Sequence, residues 1–223
     1  MTNIQFKTIS KELTKDYPIQ KASLDNFEWY KKMVGDLRKT SKFELHTGRC
    51  PGIISVCNEG WYLVNYQDIE IKTCGHDRDF TWKSEIDQKK LIGYDYVHYH
   101  TFNQLKKFKE FRKDTLHTLI KIQTPWFADI PKGYYLLVLP LPYTDELRFT
   151  SSTGILKGRS ALNTQLFWHI KNGTEVIKKG TLLAQLILIK EDKINYSVLQ
   201  ATEEEIQERK DYYKKIEDRI HKK

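Results

Sequence analysis

The chain has 223 residues, 39% of them hydrophobic and 13% aromatic, enough to bury a real core and too apolar for a disordered chain. No apolar run approaches the roughly 20 residues of a membrane-spanning helix, and the opening MTNIQFKTISKEL lacks the apolar stretch of a secretory signal; the expectation is a soluble cytoplasmic protein with no membrane partner. The net charge of +8 favours acidic partners such as nucleotides, nucleic acid or an acidic protein, although lysines spread along the chain serve solubility equally well.

In chain order, Ser23 is a cap for a predicted helix over 24–37, where Leu24, Phe27, Tyr30, Val34 and Leu37 recur at helical spacing. From Pro51 to Gln200 the texture changes to short runs rich in β-branched and aromatic residues, broken by Gly, Pro, Asn and Asp. These predict strands at 53–56, 61–66, 69–73, 80–82, 119–123, 134–139, 165–170, 181–189 and 194–199. Thr202 to Glu205 reads as a capping box opening a final helix, acidic first and basic last, with a narrow stripe of Ile206, Tyr213, Ile216 and Ile220. That helix is expected to pack on the body or on a neighbouring subunit. The domain reading is an N-terminal helical segment over 1–45, a β domain over 46–200 and a C-terminal helix over 201–223.

Cys50, Cys57 and Cys74 show no Cys-x-x-Cys spacing and read as reduced, mostly buried thiols. The strand at 181–189 is apolar on both faces, so Gln185 must lie in the interior and find backbone groups or a ligand as partners.

Ile177 to Leu186 (IKKGTLLAQL) resembles the Ile-x-x-Gly-x-x-x-Ala-Gln-Leu signature of the β-clip fold of dUTPases and dCTP deaminases. Pro131-Lys132-Gly133-Tyr134, then Thr153-Gly154-Ile155-Leu156 and Thr164–Asn172 (TQLFWHIKN), resemble earlier blocks of that core, so the likeness covers roughly 118–190. The whole chain also resembles an uncharacterised phage-encoded family, on Cys50–Val64 (CPGIISVCNEGWYLV), Val97–Gln104 (VHYHTFNQ) and Ile122–Tyr143 (IQTPWFADIPKGYYLLVLPLPY). These resemblances imply a mainly β, β-clip-like distorted barrel or sandwich with an N-terminal and a C-terminal helix. They also imply a nucleotide-sized anionic ligand and a homo-oligomer, a trimer above all, since relatives of this core place ligand pockets at subunit boundaries.

The enzymatic positions of those relatives are not matched. Leu139-Pro140-Leu141-Pro142-Tyr143 stands where a dUTPase would carry an Arg-Ser-Ser-type phosphate loop, and Leu156-Lys157 follows Gly154-Ile155 where an aspartate would activate water. A charged helix replaces the glycine-rich arm, and His169 stands nearest the position of the dCTP deaminase glutamate. His169 could move protons, but a lone strand histidine is ordinarily structural. His98 and His100 share one face of an extended segment and lack a third metal ligand, so a structural pair outweighs a metal site. No metal and no cofactor are expected.

The candidate ligand residues are Lys157, Arg159 and Ser160 in a flexible cationic loop, together with Gln185. A second basic patch, Lys106, Lys107, Phe108, Lys109 and Arg112, interleaves charge with rings in a way that grips phosphates and stacks bases, or else forms an ordinary amphipathic segment. The functional expectation is a non-catalytic phage accessory protein, acting in the host cytoplasm, that binds a nucleotide or host factor. The alternatives are a divergent nucleotide-processing enzyme using His169 or the His98/His100 pair, and a structural component of the virion or an assembly.

Overall fold

Runs of β-branched and aromatic residues become strands because such side chains suit a pleated, half-buried surface. The computed structural model describes residues 3–39, 50–105, 111–193, 195 and 197–221, and over these the protein is mainly β with a C-terminal helix. In order come β1 (Gln5–Thr8), α1 (Lys11–Thr14), β2 (Gln20–Lys21), a 3-10 turn (Leu24–Asn26), α2 (Glu28–Lys39), α3 (Pro51–Asn58), β3 (Trp61–Val64), β4 (Ile69–Cys74) and β5 (Phe80–Ser84). Then follow α4 (Gln88–Ile92), β6 (Val97–His100), α5 (Phe102–Leu105), β7 (Leu119–Ile122), β8 (Trp126–Asp129), β9 (Tyr134–Leu139), β10 (Phe149–Ser151) and β11 (Gly154–Leu156). The chain continues through β12 (Arg159–Ala161), β13 (Thr164–Trp168), β14 (Asn172–Ile177), β15 (Leu182–Lys190) and α6 (Glu203–His221).

The strands form four antiparallel sheets, ordered β1-β8-β12, β10-β13-β7-β6, β11-β9-β15-β3-β2 and β14-β4-β5. The region 118–190 is strand after strand with no described helix, as its composition predicts. One core lies between the β10-β13-β7-β6 and β14-β4-β5 sheets, built from Ile69, Ile71, Ile120, Ile122, Leu166 and Trp168. A second, with Leu63, Ala128, Leu136, Val138 and Leu186, lies between the five-stranded sheet and β1-β8-β12.

β15 joins these cores, which explains its two apolar faces. Leu183 enters the first cluster while Ala184 and Leu186 enter the second, across a register shift between Leu182 and Ala184 against β3. Gly180, at φ +86, turns the chain into β15 beside the Tyr17 ring, and its N–H donates to the Asn65 carbonyl at 2.7 Å. Gly60, at φ +72, passes so close to β15 that an added Cβ would sit 1.9 Å from the Leu186 carbonyl oxygen.

Of the three thiols expected to be mostly buried only Cys57 is, Cys50 and Cys74 being exposed, and four further expectations give way. Residues 53–56 are helical, because Pro51 starts α3 and Ile53 and Cys57, four apart, point together into a third core with Phe27 and Tyr62. The helix over 24–37 is two pieces: Ser23 caps the 3-10 turn by accepting from Asp25 N–H, Phe27 is extended, and α2 starts at Glu28. The N-terminal segment is not only helical, since β1 pairs with β8 and β2 with β3. Of the strand expected at 194–199, the described residues Asn195, Ser197, Val198 and Leu199 lie outside any strand, with Val198 and Leu199 exposed. The capping box holds: Glu205 N–H donates to Thr202 Oγ1, and Thr202 N–H donates to Glu205 Oε2. The side chains from Glu203 to Lys215 are exposed, so that stretch of α6 packs on nothing described.

Candidate functional site

β13 alternates strictly. Thr164, Leu166 and Trp168 turn inward, Gln165 and Phe167 outward, and His169 follows on the strand's end. β10 sets Thr150 opposite Phe167, and the His169 N–H closes onto the Arg148 carbonyl at 2.8 Å. The imidazole is then held at both nitrogens, Nδ1 at 2.9 Å from Thr115 Oγ1 and Nε2 at 2.8 Å from Thr150 Oγ1. Thr115 is itself fixed, because its N–H donates to the Arg112 carbonyl and Leu116 N–H donates to the Trp168 carbonyl. Burial, assisted by the Arg112 charge and opposed by Asp114, holds the His169 pKa below its ordinary value of 6.5.

This imidazole lines a cleft of about 630 Å³. It is lined by Thr150, Ser151, Ser152, Thr153 and Pro140, by Thr115 and Arg112, and by the rings of Phe111 and Phe167, 6.3 Å apart; the Ser151 side chain is buried and its hydroxyl donates to the Leu139 carbonyl at 3.4 Å. Arg112 pairs with Asp114 at 3.1 Å, and both side chains are more than half exposed. Such a pair is worth about 0–1 kcal/mol, so a ligand phosphate can take the guanidinium over at little cost. Its described lining thus combines hydroxyls, one cation, one imidazole and two aromatic rings. Among the described residues, none that line it is acidic.

Of the residues singled out in the sequence, His169 and Arg112 meet here. Lys106, Lys107, Phe108 and Lys109 lie outside the described residues. His98 and His100 are on β6 of the same sheet, where His98 stands opposite Lys121 and stacks on Tyr99. His100 lies 3.3 Å from the Gln165 amide nitrogen, and burial, then Lys121 and His98, lowers its pKa. Among the described residues no cluster of three His, Cys, Asp or Glu side chains is placed to hold a metal.

Lys157, Arg159 and Ser160 sit elsewhere, beside β8. Arg159 grips Asp129 with Nε at 2.7 Å and Nη2 at 3.3 Å, and Lys7 joins the same carboxylate. Arg159 first, then Lys7, pull the Asp129 pKa down to about 2. Lys157 pairs with Glu191, and the Ser160 hydroxyl donates to the Lys157 carbonyl at 2.9 Å. Gln185 is fully buried and its Nε2 donates to the carbonyls of Val56 at 2.6 Å and Glu59 at 2.8 Å. Its partners are therefore the end of α3 and not a ladder strand.

Two features went unread in the sequence. The run Thr150-Ser151-Ser152-Thr153 is visible there as four hydroxyl residues in succession, though Ser151 turns inward to the Leu139 carbonyl. A buried polar hub at Asn65 is not signalled: its Nδ2 donates to the carbonyls of Gln67, Ile177 and Lys178, and its Oδ1 accepts from the Tyr96 hydroxyl at 2.8 Å.

No protein-family model and no curated protein matches the chain. The solved structures that are similar to the chain include two phage dUTPases. One is a mutant dUTPase of phage phi11 of S. aureus, which coordinates a structural Mg(II) ion, at 12% identity and a TM-score of 0.38 over 90% of this chain and 99% of that one. The other is a mutant dUTPase of Staphylococcus bacteriophage 80alpha, at 11% identity and a TM-score of 0.35 over 91% of this chain and 99% of that one. At that identity and depth of superposition the likeness says nothing of activity.

Proposed function

We propose that this protein binds a nucleoside phosphate in the His169 cleft without turning it over. The carrying observation is the composition of one cleft: the aromatic lining of Phe111 and Phe167 beside which a base can pack, the hydroxyls of Thr150, Ser152 and Thr153 for sugar and phosphate oxygens, and the Arg112 guanidinium for charge. The non-catalytic half rests on the sequence, where the aspartate and glutamate positions of the related enzymes hold other residues, and on His169 being held at both nitrogens. The Lys157/Arg159 loop is a weaker candidate, because a ligand there would have to displace Glu191 and Asp129. In keeping with the sequence resemblance, the wider reading is a phage accessory protein of the host cytoplasm that uses this ligand, or a host factor, as a signal. A homo-oligomer, trimer above all, belongs to the same proposal.

Calorimetric titration with dUTP, dCTP and their monophosphates tests it. Arg112→Ala removes one charge-assisted contact, about 1.5–3 kcal/mol, so affinity falls about ten- to a hundredfold. Arg159→Ala leaves it unchanged. No binding by any nucleotide, or sensitivity to Arg159→Ala alone, overturns the assignment, and product formation from dUTP or dCTP overturns its non-catalytic half.

A further inference from the structure

Every side chain of α6 from Glu203 to Lys215 is exposed, and so are the described residues from Glu191 to Thr202 that join it to β15. Helices draw most of their stability from a packed face rather than from intrinsic propensity, so a 19-residue helix with open sides calls for a partner. Apolar surface collects in the same place: of the twelve large hydrophobic side chains exposed among the described residues, Val198, Leu199, Ile206, Tyr212 and Tyr213 lie between 198 and 213. Exposed apolar surface concentrated in this way marks an interaction face. Ile206 and Tyr213 take the a places of a heptad seam and the half-buried Ile216 a d place, with Arg209 in the d place between them.

Charge decides what covers that face. Residues 203–211 hold five carboxylates and two Lys or Arg, a net −3, and residues 212–223 hold five Lys or Arg and two carboxylates, a net +3. The segment is therefore neutral, the whole +8 of the chain lies in residues 1–202, and α6 has no net charge to draw it to nucleic acid or to an anionic membrane surface. The layout is instead complementary to itself. Two copies laid antiparallel set each acidic half against the other's basic half and oppose their helix dipoles. Arg209 selects the same direction. In a parallel pair Glu205 can reach Lys210 of the second copy, but Arg209 then meets Arg209 inside the seam. In the antiparallel register Ile206 stands on Ile216 of the second copy and Arg209 on its Tyr213, with both layers repeated by symmetry. A guanidinium over a tyrosine ring is favourable, and Arg209 already lies 5.6 Å from the Tyr213 ring of its own helix. Lys210, meeting its own copy near the two-fold axis, opposes this and keeps the association modest.

We propose that α6 pairs antiparallel with α6 of a second copy of this chain, in a two-fold helix clasp built on Ile206, Arg209, Tyr213 and Ile216. The clasp is independent of the nucleotide reading of the His169 cleft. Because it adds a two-fold axis, it doubles whatever order the β body has: a monomeric body becomes a dimer, and a trimeric body a closed hexamer.

The test is sedimentation equilibrium of the full chain from micromolar to near-millimolar concentration, beside the double variant Ile206→Asp, Ile216→Asp. At the upper end the wild-type mass should be twice that of the variant, and Tyr213→Ala should weaken the association about tenfold. Neither Ile206 nor Ile216 belongs to the buried cores, so the melting temperature of the β body should not change. Direction is read by disulfide trapping in a Cys50→Ser, Cys74→Ser background, which removes the exposed native thiols. Mixing the Ile206→Cys and Ile216→Cys proteins under mild oxidation should give the mixed disulfide. Two 206 thiols should not join, since antiparallel copies hold them about 15 Å apart along the axis. A mass of 26.5 kDa at every concentration overturns the clasp. Equal masses for wild type and double variant place any association on the β body and overturn it too, and preferential 206–206 disulfides overturn the antiparallel arrangement.

Discussion

Gln185→Glu exchanges one atom type at a buried position and gives a prediction that can be worked through. The Nε2 of Gln185 meets two carbonyl oxygens, Val56 at 2.6 Å and Glu59 at 2.8 Å, and the residue is 0% exposed. Val56 O keeps a second donor in the Glu59 N–H at 3.3 Å, whereas among the described residues no second donor reaches Glu59 O. A carboxylate oxygen in place of Nε2 would face both carbonyls, so the variant folds only with the new acid protonated, and one hydroxyl can serve only one carbonyl. Holding an acid neutral costs about 1.36 kcal/mol for each pH unit above its unfolded value near 4.3, which is roughly 3.7 kcal/mol at pH 7 and about 1 kcal/mol at pH 5. The sign is that of a raised pKa: the unfolded chain releases the proton first, so the loss of stability relative to wild type grows with pH. Urea unfolding of both proteins at pH 5 and pH 7 measures it, with an expected difference between the two losses of about 2.7 kcal/mol. A loss that is the same at both pH values would show that residue 185 is not enclosed by the end of α3, and the packing of β15 against α3 would be wrong.

Gly60→Ala should fail to give a cooperatively folding protein by circular dichroism, since the new methyl would sit 1.9 Å from the Leu186 carbonyl oxygen at a φ of +72. Asn65→Ala takes a donor from the carbonyls of Gln67, Ile177 and Lys178, of which Lys178 keeps the Thr181 N–H, and an acceptor from the Tyr96 hydroxyl, and should cost roughly 3–5 kcal/mol in urea unfolding, unlike the small losses of surface substitutions. The lowered His169 pKa means that its contribution to stability is present above pH 6.5 and is lost as pH falls through the lower folded value. An anion bound beside the ring raises that pKa, so nucleotide binding near pH 6 should take up a proton; calorimetry in two buffers of different ionisation enthalpy detects it, and His169→Gln should abolish it.

Where local pattern and tertiary burial agree, the chain announces its structure. β9 is found at its expected bounds, and β15 within one residue of them, because both faces of 181–189 are apolar and only a strand shared by two cores satisfies that. Residues 53–56 read as a strand because Ile53, Ile54 and Val56 are β-branched, but Pro51 and the inward pair Ile53 and Cys57 favour one short helix, and tertiary burial overrides propensity. The burial of Gln185 was legible; its partners were not, since the carbonyls at the end of α3 come from 126 and 129 residues away in sequence. The cationic loop at 157–160 looked like a ligand site for want of the knowledge that Asp129 and Glu191 fold back onto it. For the cleft, His169 and Arg112 were readable as isolated candidates, but only the pairing of β10 with β13 brings Thr150 to one and the turn at Thr115 brings both together.

The most direct test of the central claim is the magnetic resonance spectrum of the His169 imidazole, assigned by its loss in His169→Gln, during titration with dCTP and dUTP. Its ring resonances should move in step with saturation and its pKa should rise on binding, while Arg159→Ala leaves both effects intact. Nucleotide binding that leaves the His169 ring unmoved, or no binding at all, would contradict the assignment of this cleft as the ligand site.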